Sequence, residues 1–326
     1  MVWIEFLISS ALLVYIAVQL AKFGDAIAIR TRLGGMFVGT LLLAGATSLP
    51  EVLTTINSLY QGLPDLAAGN LLGSNMLNMF LLAVLDIVHY KHRLLRKAAL
   101  KHALSGSLTV LLIGMVVFFI LADLEWKIGW VGADSIIIML VYVGAVSLIQ
   151  GQSRTLVVQE VEIEPSVPPL RKALIGFGIA AAFLIVVTPW MVNASARIAE
   201  ITGLGATFIG STLVALVTSL PELVTTLAAV RLGADDMAIG NLFGSNLFNM
   251  FALGLTDLFF LNGRFLSVID PSFLVVGMLG LIMTLLGLIG NLARLERRLL
   301  FVELDAFLLM VVYFWGLWFL YTRSIG

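Results

Sequence analysis

A chain of 326 residues with 60% hydrophobic and 12% charged side chains, at a mean hydropathy of +1.06, holds far more apolar residues than a soluble domain of its size can use. Its net charge of −1, with no basic domain, gives nucleic acid no footing, and the absence of cysteine excludes disulfides and thiolate metal sites. Apolar stretches long enough to cross a bilayer recur throughout, so the composition specifies an all-α, polytopic membrane protein whose first partner is the lipid bilayer.

The first such stretch, about 3–23, lacks a basic n-region and a small-x-small cleavage site, and reads as a retained membrane helix. Nine more are predicted at about 34–59, 66–88, 104–122, 128–150, 172–196, 203–230, 237–260, 272–292 and 301–321. Five spans precede the polar stretch 151–171 and five follow it. The chain thus divides into a first five-helix repeat (1–150), a cytoplasmic linker (151–171) and a second repeat (172–326). The linker carries Arg154, Glu160, Glu162, Glu164, Pro165, Pro168 and Pro169, and is too short to fold by itself.

An odd number of spans per half sends the second half into the membrane from the opposite side, which makes the two halves inverted repeats. Charge supports one orientation. With the N-terminus outside, 15 Lys and Arg fall on the inner side, many of them between Lys91 and Lys101, and four (Lys127, Arg197, Arg264, Arg323) fall outside. The positive-inside rule then puts both termini outside, in a plasma or inner membrane.

Inside this apolar sequence lies a polar motif that occurs twice. Thr47-Ser48-Leu49-Pro50-Glu51 is followed by Gly69-Asn70-Leu71-Leu72-Gly73-Ser74-Asn75-Met76-Leu77-Asn78. Thr218-Ser219-Leu220-Pro221-Glu222 is followed by Gly240-Asn241-Leu242-Phe243-Gly244-Ser245-Asn246-Leu247-Phe248-Asn249. The offset is 171 throughout, and 47–80 matches 218–251 at 19 of 34 positions. Within the broader motifs 44–80 and 215–251, each proline removes an N–H and frees the carbonyl four residues back, at Ala46 and Val217, and disturbs those of Thr47 and Thr218. In hydrocarbon a freed carbonyl is costly unless something satisfies it, and a cation can. By itself the proline suits a kink healed by Ser48 or Ser219. One residue on, however, comes Glu51 or Glu222, a carboxylate in the membrane, where acids are expensive and functional. Asn70, Ser74 and Asn78 form one polar stripe at spacing four, and Asn241, Ser245 and Asn249 repeat it. Asn70, Asn75, Asn241 and Asn246 are assigned to interhelical hydrogen bonds instead. Gly69, Gly73, Gly240 and Gly244 allow close helix approach.

Pooled, these groups are carboxylates, carbonyls, hydroxyls and amides. No thiol is present, and His89, His92 and His102 are expected at or beyond helix ends. An all-oxygen set suits Ca²⁺, Na⁺ or Mg²⁺ over zinc or copper, and a flexible carbonyl-rich site favours Ca²⁺ over Mg²⁺. Two carboxylates balance one divalent ion.

The duplicated motif resembles the α-repeats of the sodium/calcium exchangers of the calcium/cation antiporter superfamily. The resemblance covers both repeats and implies ten spans and inverted symmetry. It implies that Glu51, Glu222, Thr47 and Thr218 bind calcium. It implies that sodium sites draw on Ala44, Ser48, Ser74, Ala215, Ser219 and Ser245 with the glutamates, that Asn78 and Asn249 line the centre, and that spans 1 and 6 slide as a gating pair. The chain departs from the family pattern in having Ala46 and Val217 where many members have glycine, asparagine at 249 where some have aspartate, and a short linker. GN-x-x-G, where proton-coupled relatives show GN-x-x-E, favours sodium coupling.

The function expected is therefore secondary antiport of Ca²⁺ against Na⁺ by alternating access, electrogenic if more than two Na⁺ move per Ca²⁺. No cofactor and no obligate protein partner is expected. H⁺/Ca²⁺ or other cation exchange on the same scaffold is the alternative. A cation channel fits less well, because the acids sit beside two broken helices and not in a pore ring. An intramembrane enzyme would need a nucleophile and base or an H-E-x-x-H motif, and the chain offers no cysteine and no histidine within a predicted span.

Overall fold

The computed structural model describes residues 1–31, 44–88, 99–154, 167–231, 235–293, 298–299 and 302–324. The apolar stretches form helices. In chain order they are α1 (Val2–Thr31), α2 (Ala44–Thr47), α3 (Leu49–Tyr60), α4 (Pro64–Val88), α5 (Ala99–Ala122), α6 (Ala133–Arg154), α7 (Leu170–Thr202) and α8 (Ala206–Ile209). A π-helical turn, Gly210–Val214, leads into α9 (Ala215–Thr218) and α10 (Leu220–Arg231). Then come α11 (Asp235–Phe259), α12 (Phe265–Val268), α13 (Phe273–Ala293) and α14 (Leu304–Ser324). Two short antiparallel hairpins, β1–β2 (Lys127–Ile128, Val131–Gly132) and β3–β4 (Arg298–Leu299, Val302–Glu303), precede α6 and α14.

Among the described residues, seven helices are long and apolar enough to cross a membrane: α1, α4, α5, α6, α7, α13 and α14. The segment from Ala206 to Arg231 passes the same test as one span bent by 42° between Thr218 and Leu220. The expected span 34–59 is described from Ala44 onward, as α2 and α3; its first part lies outside the described residues, as do most of the basic cluster near Lys97 and linker positions 155–166. The stretch expected as a span at 237–260 is helical, as α11, but is not among the helices that pass this test.

Three boundaries differ from expectation for local reasons. The span predicted from 128 begins instead at Ala133, because Lys127–Gly132 turns back on itself about Gly129, whose φ of +67° a side chain rarely tolerates. The span predicted from 301 begins at Leu304 after the equivalent hairpin. His102, expected at a helix end outside the membrane segment, lies within the first turns of α5 and is buried, because that helix starts at Ala99.

Two apolar clusters organise the packing. One joins α1 to α7 through Leu13, Ala17, Leu20, Leu184, Met191 and Val192. The other surrounds α4 and α11 with α5, α6, α13 and α14. Every residue of α4 from Leu66 to Met79 is buried, so its polar residues face protein on all sides and not lipid. The small residues of the motif make this possible: a β-carbon at Gly69 would lie 2.9 Å from the Ser211 backbone and one at Gly73 2.6 Å from it.

Candidate functional site

The site forms where two broken helices meet two antiparallel ones. Pro50 and Pro221 sit in the first turns of α3 and α10, where a missing N–H is tolerated. The residue before each helix, Ser48 or Ser219, takes nearly the same backbone conformation, φ −85° ψ 5° and φ −88° ψ 3°. That residue separates α2 from α3 and α9 from α10, so each glutamate stands in the first turn of a new helix. The N-terminal end of a helix favours negative charge.

Glu51 and Glu222 are 1% and 0% exposed. Each receives the hydroxyl of the other half. Ser219 donates to Glu51 Oε1 at 3.1 Å, and Ser48 donates to Glu222 Oε1 at 3.0 Å. Ser245 approaches the same Glu222 oxygen at 3.4 Å. The serines after Thr47 and Thr218 thus cross over, and residues 171 apart in sequence make equivalent bonds.

Below them α4 and α11 cross. Asn78 Nδ2 donates to Asn246 Oδ1 at 2.9 Å, Asn249 Nδ2 to Asn75 Oδ1 at 3.1 Å, and Asn246 Nδ2 to the Asn75 carbonyl at 3.2 Å. As the position rises along one helix its partner falls along the other, so the two run antiparallel. Asn75 and Asn246 serve the interhelical bonding expected of them. In doing so they occupy the amide nitrogens of Asn78 and Asn249 and leave both Oδ1 atoms available.

Five oxygens stand out here. Among the described residues, Glu51 Oε2, Glu222 Oε2, Ser74 Oγ, Asn78 Oδ1 and Asn249 Oδ1 are buried and have no hydrogen-bond partner. Buried polar groups are ordinarily bonded, and leaving one unbonded costs about 1–3 kcal/mol, more for a charge. Two carboxylate oxygens, one hydroxyl and two amide oxygens make a hard-cation donor set. Ala44 and Ala215 behave differently. The Ala44 carbonyl already accepts Ser48 N–H (2.9 Å) and the Thr47 hydroxyl (3.1 Å), and Ala215 accepts Ser219 N–H (3.0 Å) and the Thr218 hydroxyl (3.3 Å). A cation would displace a threonine hydroxyl to reach either.

The sequence reading passed over two groups. Thr55 and Thr226 hold Asn70 and Asn241 at 3.0 Å each, and both threonine pairs, 54–55 and 225–226, are identities of the repeat. Further off, Asp86 and Asp257, and Asp134 and Asp305, are buried acids that also stand 171 apart. Extending the alignment past residue 80 would have found them. The added methyl at Ala46, where many relatives have glycine, seats against Gly24 of α1: a β-carbon at Gly24 would lie 3.0 Å from it.

The family model described as sodium/calcium exchanger protein matches residues 1–150 and 172–322. The inner membrane protein YrbG of Escherichia coli (strain K12) is 29% identical over 262 residues, which are 77% of this chain and 78% of that one. The sodium/calcium exchanger MaX1 of Methanosarcina acetivorans is 45% identical over 83 residues, 25% of this chain and 24% of that one. In fold, the chain resembles a structure of the sodium-calcium exchanger NCX_Mj soaked with Na⁺ and Sr²⁺, with a TM-score of 0.62 at 23% identity, covering 97% of this chain and 98% of that one.

Proposed function

The chain belongs to the sodium/calcium exchanger family, whose members are transporters and not enzymes, and from that premise we propose that it exchanges Ca²⁺ for Na⁺ across the membrane by alternating access. The observation that carries this reading is the pair of buried glutamates, each held by one serine from the opposite half and each with its second oxygen unbonded. Ca²⁺ binds between Glu51 and Glu222, with the disturbed carbonyls of Thr47 and Thr218. Na⁺ ions use the same carboxylates together with Ser48, Ser74, Ser219 and Ser245, and with Ala44 and Ala215 once their threonine hydroxyls turn away. Asn78 and Asn249 present neutral oxygens to ions or their water. Because the two cations share oxygens, one must leave before the other binds, and that competition couples their movements. With three Na⁺ per Ca²⁺ the cycle carries net charge.

The ten-span arrangement belongs to the same reading: two inverted halves, 1–150 and 172–326, joined by a cytoplasmic linker, with both termini outside. It is supported by the antiparallel crossing of α4 and α11 and by the equivalent bonds at the 171-residue offset. Helices α1 and α7, packed along one another, form the gating pair.

The test is ⁴⁵Ca²⁺ uptake into proteoliposomes under imposed Na⁺ or pH gradients. Uptake driven by an outward Na⁺ gradient and insensitive to an isolated pH gradient supports the proposal. Uptake driven by the pH gradient alone replaces sodium with protons.

A further inference from the structure

One end of the bundle holds a cavity apart from the ion site. The start of α8, the start of α13 and the last turns of α14 enclose about 610 Å³, lined by two charges of opposite sign, Asp270 and Arg323, and by Phe208, Val275 and Phe319. One water takes up about 30 Å³, so the space suits an organic group and not a single ion.

Among the described residues, neither charge is neutralised by the chain. Arg323 has no acid partner; its guanidinium lies over the Phe319 ring, 5.5 Å from the centroid. Asp270 has no basic partner; its Oδ1 accepts the Ser272 N–H at 2.7 Å, in the turn that leads into α13. A second acid stands beside it, because Asp65 at the start of α4 accepts the Asp270 N–H at 2.8 Å. Two acids and one base therefore meet at this end of the bundle. Depth is marked by α14, whose final turns carry Trp315, Trp318 and Tyr321 exposed on the outside of the protein. Exposed Trp and Tyr near the end of a membrane helix belong at the level of the lipid headgroups.

A ligand matched to this cavity carries both signs of charge and an apolar body, and is found at headgroup depth. A guanidinium recognises phosphate through paired N–H donors. A primary ammonium has three N–H donors for a carboxylate, whereas a quaternary choline has none. A head with net negative charge would meet two acids and one base, and is disfavoured. We propose that this cavity binds one phospholipid with an ethanolamine head, its phosphate on Arg323, its ammonium at Asp270, and its glycerol and first acyl carbons against Phe208, Val275 and Phe319.

Native mass spectrometry of the intact chain in detergent tests this, by titration with phosphatidylethanolamine and, separately, with phosphatidylglycerol of identical acyl chains. The wild type should hold one phosphatidylethanolamine more tightly than phosphatidylglycerol. Asp270→Asn keeps an oxygen for the Ser272 N–H and loses the charge; Arg323→Gln loses the guanidinium. Each should weaken phosphatidylethanolamine binding about tenfold, the scale of one charge-assisted hydrogen bond. Lys127→Gln, which removes a charge at the β1–β2 hairpin instead, should leave it unchanged. Equal affinity of the wild type for the two lipids, unaltered binding in either cavity variant, or an equal loss in Lys127→Gln overturns the proposal. Soluble glycerophosphoethanolamine carries the head without the chains; if it displaces the lipid at equal concentration, the cavity takes a free solute and the lipid assignment fails. The comparison of the two lipids uses the wild type alone, so it decides the matter even where a variant does not fold. None of these readouts involves ion flux.

Discussion

Two regions of this molecule bury carboxylates, and they treat them in opposite ways. At one end of the bundle Asp257 accepts the Gly132 N–H at 2.6 Å through one oxygen and the Phe265 N–H at 2.5 Å through the other. Its neighbour Asp134 accepts the Ser135 N–H and lies 3.6 Å from Arg264, which itself bonds Asp123 and the Leu124 carbonyl. Every charge there has a fixed partner, and the result is a clasp that ties the β1–β2 hairpin and α12 to the end of α11. At the centre, Glu51 accepts the Ser219 hydroxyl and Glu222 those of Ser48 and Ser245, all at one oxygen, and each leaves its other oxygen unbonded. Asp257 thus has both oxygens bonded by the chain, and Asp134, one of whose oxygens accepts no hydrogen bond, stands beside the Arg264 guanidinium.

The comparison can be broken most forcefully at the glutamates. Glu51→Gln or Glu222→Gln leaves one charge to balance a divalent ion in a site of low dielectric, and Ca²⁺ affinity should fall on the order of a hundredfold or more. Thermal stability should hold or rise, since an unpaired buried charge is removed. Acidification is expected to act in the same direction, because a proton taken up by either carboxylate removes charge that the cation needs. Calorimetric Ca²⁺ titration of both variants beside the wild type, over a range of pH, checks this; wild-type affinity in either variant would contradict it.

Asp257→Asn inverts the pattern. It sets an amide N–H against a backbone N–H and should cost about 2 kcal/mol of stability, the scale of a charge-assisted hydrogen bond, with Ca²⁺ affinity unchanged in the folded fraction. Thermal unfolding in detergent, paired with the same titration, reads both quantities. Smaller again is the effect expected at Asn249. Asn249→Leu removes the free Oδ1 and the bond to Asn75, and should slow Na⁺-driven Ca²⁺ flux by roughly tenfold, the scale of one or two lost hydrogen bonds. Asn249→Asp keeps an oxygen in place. It should retain flux near neutral pH while the new carboxyl carries a proton, and depart from wild type at high pH as it ionises. A harmless leucine beside an aspartate inactive at every pH would take Asn249 off the ion path.

Much of this centre was legible in the sequence because its chemistry is out of place there. A proline followed by a glutamate in an apolar run stands out, and the repeat at offset 171 pairs each residue with its counterpart. The pairing of Ser48 with Glu222 and of Ser219 with Glu51 was not legible, because spacing along one helix says nothing of what crosses from another. Nor was the division of labour among the asparagines: all of them are amides on buried helices, and only the α4–α11 register leaves the oxygens of Asn78 and Asn249 facing inward. The hairpins before α6 and α14 were lost in hydropathy, since Ile128, Trp130 and Val131 score as span residues. The clasp acids escaped for a related reason: a single aspartate at a helix end looks like an ordinary surface charge until the fold closes over it.

The central claim is that the cation sits where the oxygens are left unbonded. A second acidic cluster offers a competing address: Asp86, Glu303 and Asp305 bring carboxylate oxygens to within 4.8 Å of one another. Sr²⁺ is a heavier stand-in for Ca²⁺, and anomalous diffraction from crystals soaked in it reports position directly. The account predicts the strongest peak between Glu51 and Glu222, lost on raising Na⁺. A peak at Asp86, Glu303 and Asp305 with none between the glutamates would contradict it.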